Sequence, residues 1–136
     1  MKKVVIAGSA SLQDKMQSWK KVWGKNGFDV IAHPQMIAPE MFLETYSDIY
    51  EDLFKKMTEM DIFFLMNEDK NGVEGYIGAA SFGELCFAVS QKVAFERNID
   101  IVIQKMPSRS VSSYEEVSLW LSLGWIRLFE GRNPSP

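Results

Sequence analysis

Between Gly75 and Gln91 the chain reads GYIGAASFGELCFAVSQ, and its one charged side chain is Glu84. Alanine, phenylalanine, leucine, cysteine and valine surround it. A carboxylate taken out of water without partners is destabilised by several kcal/mol, or its pKa rises until it holds a proton. Such a group is a candidate nucleophile or proton carrier. The same residues admit a structural role. Ser81-Phe82-Gly83-Glu84 fits the S-x-x-E capping box, in which the glutamate reaches back to the first amide of a helix, and a carboxylate suits the positive end of the helix dipole.

Helical spacing puts Phe82, Leu85, Cys86, Val89 and Val93 on one core-facing stripe, with Glu84 nearly opposite, beside Ala80, Phe87 and Ala88. That second side is apolar as well, so a ligand or another subunit is expected to cover it. The simplest such assembly is a two-fold homodimer.

Two further segments carry groups suited to binding. Gly8-Ser9-Ala10-Ser11 ends an apolar run and opens a helix. Small residues there let amides approach an anion, and the Ser9 and Ser11 hydroxyls can donate to it. Alternatively Ser11 is a plain N-cap, with Asp14 three residues on. Neither the dinucleotide-binding nor the Walker glycine spacing is present. The polar loop 67–78 offers Asn67 and Gly78 as ligand contacts, with Ser81 just beyond. Asp69, Glu74 and Tyr76 are its alternative proton donors. His33, beside Pro34, reads as structural, Asp48 and Asp52 as solvated, and the methionine and aromatic stripes as core.

Groups so far apart in sequence need a scaffold to bring them together. The 136 residues are 46% hydrophobic and 24% charged, the balance of an ordinary folded domain. The formal net charge is −3 with no basic stripe, so duplex nucleic acid is not an expected partner. One histidine and one cysteine cannot assemble the usual zinc site, and no metal or cofactor is expected. A single thiol, Cys86, makes no internal disulfide, in keeping with a cytoplasmic setting. The apolar run at the N-terminus is too short for a signal peptide, and no stretch reaches the ~18 apolar residues of a membrane span.

Short apolar runs at 4–7, 28–33, 62–66, 99–103 and 125–129 read as strands. Helical patterns separate them. One carries Leu12, Met16, Trp19 and Trp23. The next starts near Pro39 and bears Phe42, Tyr46, Ile49, Leu53, Met57 and Met60. The Glu84 helix runs to about Arg97, and a short one with Val117, Trp120 and Leu121 ends at Gly124. Ile62–Met66 is apolar on both faces, as strands of parallel sheets are. The expectation is an α/β, flavodoxin-like three-layer sandwich in one domain over 1–130, with a frayed tail at 131–136. Its five-stranded parallel sheet has the order 2-1-3-4-5. Ligands of such sheets bind beyond the strand ends at the switch point between strands 1 and 3, where Gly8–Ser11 and Asn67–Glu84 are expected to meet.

The run around Gly83-Glu84-Leu85-Cys86-Phe87-Ala88 resembles the glycine-bearing turn and G-x-E-L-G-x-A helix start of the nucleoside 2-deoxyribosyltransferase-like superfamily, which includes 2′-deoxynucleoside 5′-monophosphate N-glycosidases. The opening strand with Gly8-Ser9 resembles the family's first loop, and the element order agrees over nearly the whole chain. The resemblance implies a small-molecule nucleoside or nucleotide as substrate. It also implies Glu84 as a carboxylate nucleophile at C1′, with the glycosyl group passing on to another base or to water. The family's aspartate six residues before the nucleophile falls here on Gly78, and its Leu-Gly-Tyr on Leu85-Cys86-Phe87. Two other readings stand beside this one: a nucleotide-binding module without catalysis, and an interaction protein that dimerises through the Glu84 helix.

Overall fold

Alternation of apolar side chains along a buried strand gives each face of a sheet its own set of core residues. The computed structural model, which describes residues 1–130, follows this rule closely. In the first strand, β1 (Lys3–Gly8), Val4 and Ile6 point to one face and Val5 and Ala7 to the other. The next strands in chain order are β2 (Asp29–Ala32), β3 (Ile62–Met66), β4 (Asp100–Ile103) and β5 (Arg127–Leu128). All pair in parallel, in the order β2-β1-β3-β4-β5. This is the flavodoxin-like arrangement, with β1 and β3 adjacent from Val4 opposite Ile62 to Gly8 opposite Met66.

Four helices flank the sheet: α1 (Gln13–Lys25), α2 (Phe42–Met57), α3 (Ala79–Ala94) and α4 (Tyr114–Ser122). One face is packed by α1, whose Met16 and Trp23 are buried with Phe28, Phe64 and Val102. Phe129 joins them, its ring 5.0 Å from Trp19 and 5.8 Å from Phe64. The other face holds the larger cluster, in which Met57, Leu85, Ala88, Val89 and Val117 cover Val5, Phe63, Leu65, Ile101 and Ile103. The end of α2 is tied to α3 by Arg97. Its guanidinium donates to the carbonyls of Met57 (3.1 Å) and Met60 (2.9 Å) and to Oε1 of Gln91 (2.6 Å). Cationic donors suit the carbonyl end of a helix.

Some boundaries differ from the sequence reading. The fifth strand pairs only at Arg127 and Leu128, since β5 is an edge held by β4 alone. The Glu84 helix stops at Ala94, and Glu96 takes the left-handed conformation (φ 55°) on the way to β4. Pro39 lies outside its helix: Met41, at φ 56°, turns the chain immediately before α2. The expected tail over 131–136 lies outside the described residues. Among those residues no helix is long and apolar enough to cross a membrane.

Candidate functional site

The third helix starts earlier than a capping box at Ser81 requires. Gly78 is its N-cap (φ −80°, ψ 171°), with no side-chain cap, and its carbonyl accepts the first bond from the amide of Phe82 at 3.0 Å. Ser81 is therefore already inside the first turn and Glu84 lies in the second. The capping box does not form, and Glu84 has no end-of-helix amide to satisfy. The helix is also rotated from the expected phase. Its buried residues are Ser81, Glu84, Leu85, Ala88, Val89 and Gln91, whereas Val93 is 43% exposed. The reason is that α3 packs against two neighbours at once. Leu85 and Ala88 face the sheet, and the adjoining arc with Glu84 and Phe87 faces α2.

Between α2 and α3 lies a groove of about 430 Å³, lined by Tyr46, Tyr50 and Phe54 on one side and Ala80, Gly83, Glu84 and Phe87 on the other. The α2 rings form a ladder at every fourth residue. Phe42 and Tyr46 stack at 5.8 Å, Tyr46 and Tyr50 at 4.3 Å, and Phe54 meets Tyr50 edge-on at 5.6 Å. Phe54 also meets Phe87 edge-on at 6.0 Å, which closes one end of the groove. A side chain at Gly83 would meet nothing within 4 Å, so this position leaves the groove open.

Glu84 is the only carboxylate on these walls and is 8% exposed. Burial pushes its carboxyl from the ordinary 4.5 up to about 7, with no charged partner drawing it back. Its charge acts in turn on Tyr50. Burial first, and then the Glu84 carboxylate, push that phenol from 10.0 up to about 12. Near neutral pH the groove thus holds a carboxyl close to half-ionised beside a phenol that keeps its proton.

The remaining candidates gather elsewhere, at the carboxyl ends of β1 and β3. Lys70 donates to the Ser9 hydroxyl at 2.7 Å, and the Ser9 and Ser11 hydroxyls are 2.9 Å apart. Of the two segments expected at the switch point, Gly8–Ser11 meets the loop after β3 through Lys70, whereas Glu84, the far end of the second, lines the groove between α2 and α3. Leu12, not Ser11, holds the N-cap place of α1. Gly8 is required where it stands, because a Cβ there would lie 2.6 Å from Cγ of Met66 and 2.9 Å from its carbonyl oxygen.

Asn67 is a fastener. It is buried, donates to the carbonyl of Lys105 (2.7 Å) and to that of Gly75 (3.3 Å), and accepts from the Lys105 amide (3.2 Å). Asp69 accepts from the Gly75 amide and from Nζ of Lys105, both at 2.9 Å. The amide, with the lysine second, holds its carboxyl below the usual range. Asp69 is thus a bracing anion and a poor proton donor. Glu74 is exposed, and its carbonyl takes the Ser108 amide at 2.9 Å. Tyr76 lies against Gly78, under the Lys70 ammonium, which sits 5.4 Å from the ring. None of Asn67, Asp69, Glu74, Tyr76, Gly78 or Ser81 lines the Glu84 groove.

Phe42 and Tyr46 belong to the stripe expected in the core, yet they are 45% and 41% exposed, and Tyr50 and Phe54, outside that stripe, line the groove with Tyr46. The sequence does carry a signal for them. Phe42, Tyr46, Tyr50 and Phe54 form their own four-residue repeat beside the Ile49, Leu53, Met57 row, and two of the four bear hydroxyls. Among the described residues no three His, Cys, Asp or Glu side chains gather to hold a metal. Comparisons with protein-family models, with curated proteins and with solved structures find no match to the chain.

Proposed function

We propose that this protein cleaves the N-glycosidic bond of a deoxynucleoside or its 5′-monophosphate, as a hydrolase or a base-exchanging transferase, with Glu84 as nucleophile. The observation that carries the reading is a buried carboxyl without a charged partner on the wall of an aromatic groove. Aromatic walls suit a flat heterocyclic base. Apolar surroundings disfavour the ionised carboxylate before reaction, and the positive charge that develops over C1′ and the ring oxygen relieves this. The attraction is therefore strongest in the transition state, where it accelerates the chemistry.

In the first step a carboxylate oxygen of Glu84 bonds to C1′. The C1′–N bond breaks, and the base leaves with the electron pair and takes up a proton from water. In the second step water, or the nitrogen of another base, attacks C1′ and gives its proton to solvent, the ester breaks and the carboxylate returns. Tyr50 keeps its proton and can hydrogen-bond the departing base. It acts as a hydrogen-bond donor, not as the acid sought among Asp69, Glu74 and Tyr76. The Ser9–Lys70 pair offers a cation and a hydroxyl to a 5′-phosphate, which favours the monophosphate as substrate.

A second reading is favoured by the surface of α2. Leu43 is 79% exposed, Phe42 45% and Phe54 46%, an apolar strip next to the groove. A homodimer that covers this strip is compatible with the reaction.

The test is release of free base from a panel of deoxynucleosides and their monophosphates. Wild type should release base from at least one. Glu84→Gln should stay folded, bind the same compound and lose nearly all turnover, by about a thousandfold or more. Wild-type turnover in the variant would end the nucleophile assignment.

A further inference from the structure

We propose that the open edge of β2 is a docking site for an extended peptide segment whose side chains alternate between acidic and aliphatic, added to the sheet as a further strand. β2 pairs with β1 alone, and among the described residues no other strand, loop or side chain hydrogen-bonds to its outer side. Ile31 is the extra residue of a bulge and has no partner in β1, so its main chain too is left for another strand. Such an edge is a template for a strand from another chain. Pro34 has no N–H to give and ends the edge, so about four residues can pair.

The walls choose the occupant. A notch of about 150 Å³ runs along β2 at Val30, Ile31 and Ala32, with Lys20 of α1 on one side and Ile49 and Leu53 of α2 on the other. The two helices lie on opposite faces of the sheet: Val30 packs with the α1 cluster, Ile31 and Ala32 with the α2 cluster. Side chains of an added strand point alternately to these faces. On the α1 face they meet Lys20, which forms no ion pair among the described residues. An acidic side chain is its complement. On the α2 face they meet Ile49 and Leu53, which suit a valine or an isoleucine. The charges of that wall do not upset this, because Lys56 and Asp52 neutralise each other at 2.8 Å.

A second copy of β2 is a poorer fit. Antiparallel pairing of two β2 edges about a two-fold axis keeps the same face of the sheet upward in both, so α1 lies beside α1 and neither Lys20 gains an anion. The edge also stands apart from the reaction proposed above, since no residue lines both the notch and the Glu84 groove.

The probe is an acetylated hexapeptide amide of alternating glutamate and valine, titrated into the protein with amide shifts read at Val30, Ile31 and Ala32. It should bind there about tenfold or more tightly than its lysine–valine counterpart, and Lys20→Glu should reverse the preference. Peptides N-methylated at alternate amides separate main-chain pairing from loose charge contact. Methyls on the set of amides that faces β2 should abolish binding, and methyls on the other set should leave it within about twofold. This comparison uses the wild-type chain alone, so it decides the matter even where Lys20→Glu folds poorly. No shift at Val30–Ala32 at millimolar peptide, equal effects of the two methylated sets, or a charge preference that survives Lys20→Glu would each overturn the site. Shifts at the same residues that grow with protein concentration alone would give the edge to a second copy and overturn it too.

Discussion

Glu84 is held at a disadvantage by the fold, and that disadvantage is measurable. Its carboxyl titrates at about 7 in the folded protein, against an ordinary 4.5. Between those values the folded chain holds a proton that the unfolded chain has released. Stability therefore falls as pH rises through this window, by up to about 3 kcal/mol at its upper end. Below 4.5 both states are protonated and the effect vanishes. Glu84→Gln removes the titration, so the variant should be the more stable protein above pH 7 and near wild type at pH 4. Parallel urea melts from pH 4 to 8 check this, and curves that keep a constant separation would refute it. Turnover should follow the opposite limb, rising with pH through about 7 as the nucleophile ionises. The apolar frame that marks Glu84 is plain in the amino-acid string. Its orientation is not, because α3 is apolar on two sides and periodicity alone cannot say which side meets the sheet. The capping box looked plausible for a related reason: its spacing is right, but Gly78 starts the helix one turn earlier.

At the level of elements, two loops must be held so that the ends of β1 and β3 form one surface. Asn67 does this from β3, through three bonds to backbone groups of Gly75 and Lys105. Asn67→Ala leaves the buried Gly75 carbonyl and the half-buried Lys105 groups without that partner, and should lower stability by about 2 kcal/mol in chemical denaturation. A change below about 0.5 kcal/mol would mean that water replaces the side chain. Lys70 tests the phosphate assignment separately. Lys70→Ala should raise KM for a deoxynucleoside 5′-monophosphate about tenfold and leave KM for the matching nucleoside unchanged; equal effects on both would place the phosphate elsewhere. The meeting of Gly8–Ser11 with the loop after β3 followed from topology alone. The partners within it did not. Asn67 and Asp69 look like ligand contacts in the sequence because polar loop residues often are, and nothing local reveals that Gly75 and Lys105 lie within hydrogen-bond reach. On α2 the aromatic repeat was masked by the amphipathic row beside it, since stacked rings and core residues share the same helical spacing.

For the molecule as a whole, the fold was readable because its three inner strands, β1, β3 and β4, are constrained on both faces. Ile62–Met66 has no side left for solvent, and alternation of such strands with helices leaves few topologies. Edges were less readable, since β5 keeps only two paired residues. The surface raises its own expectation: Met41 and Leu43, 68% and 79% exposed, sit next to the aromatic ladder of α2. Sedimentation should find a dimer at micromolar concentration, and Leu43→Glu should shift it to monomer; a monomer at every concentration would contradict the interface. The assignment on which the account rests is the bond between Glu84 and a sugar, and trapping that bond examines it most directly. A deoxynucleoside whose sugar carries fluorine at C2′ slows breakdown of the glycosyl ester more than its formation, because the halogen destabilises the cationic transition state of a step that must then rely on water alone. After incubation with such a compound, intact mass should rise by one fluorinated sugar, and peptide mapping should put it on Glu84, with Glu84→Gln unmodified. A wild-type chain that releases base yet carries the sugar on another residue, or never carries it, would contradict the account.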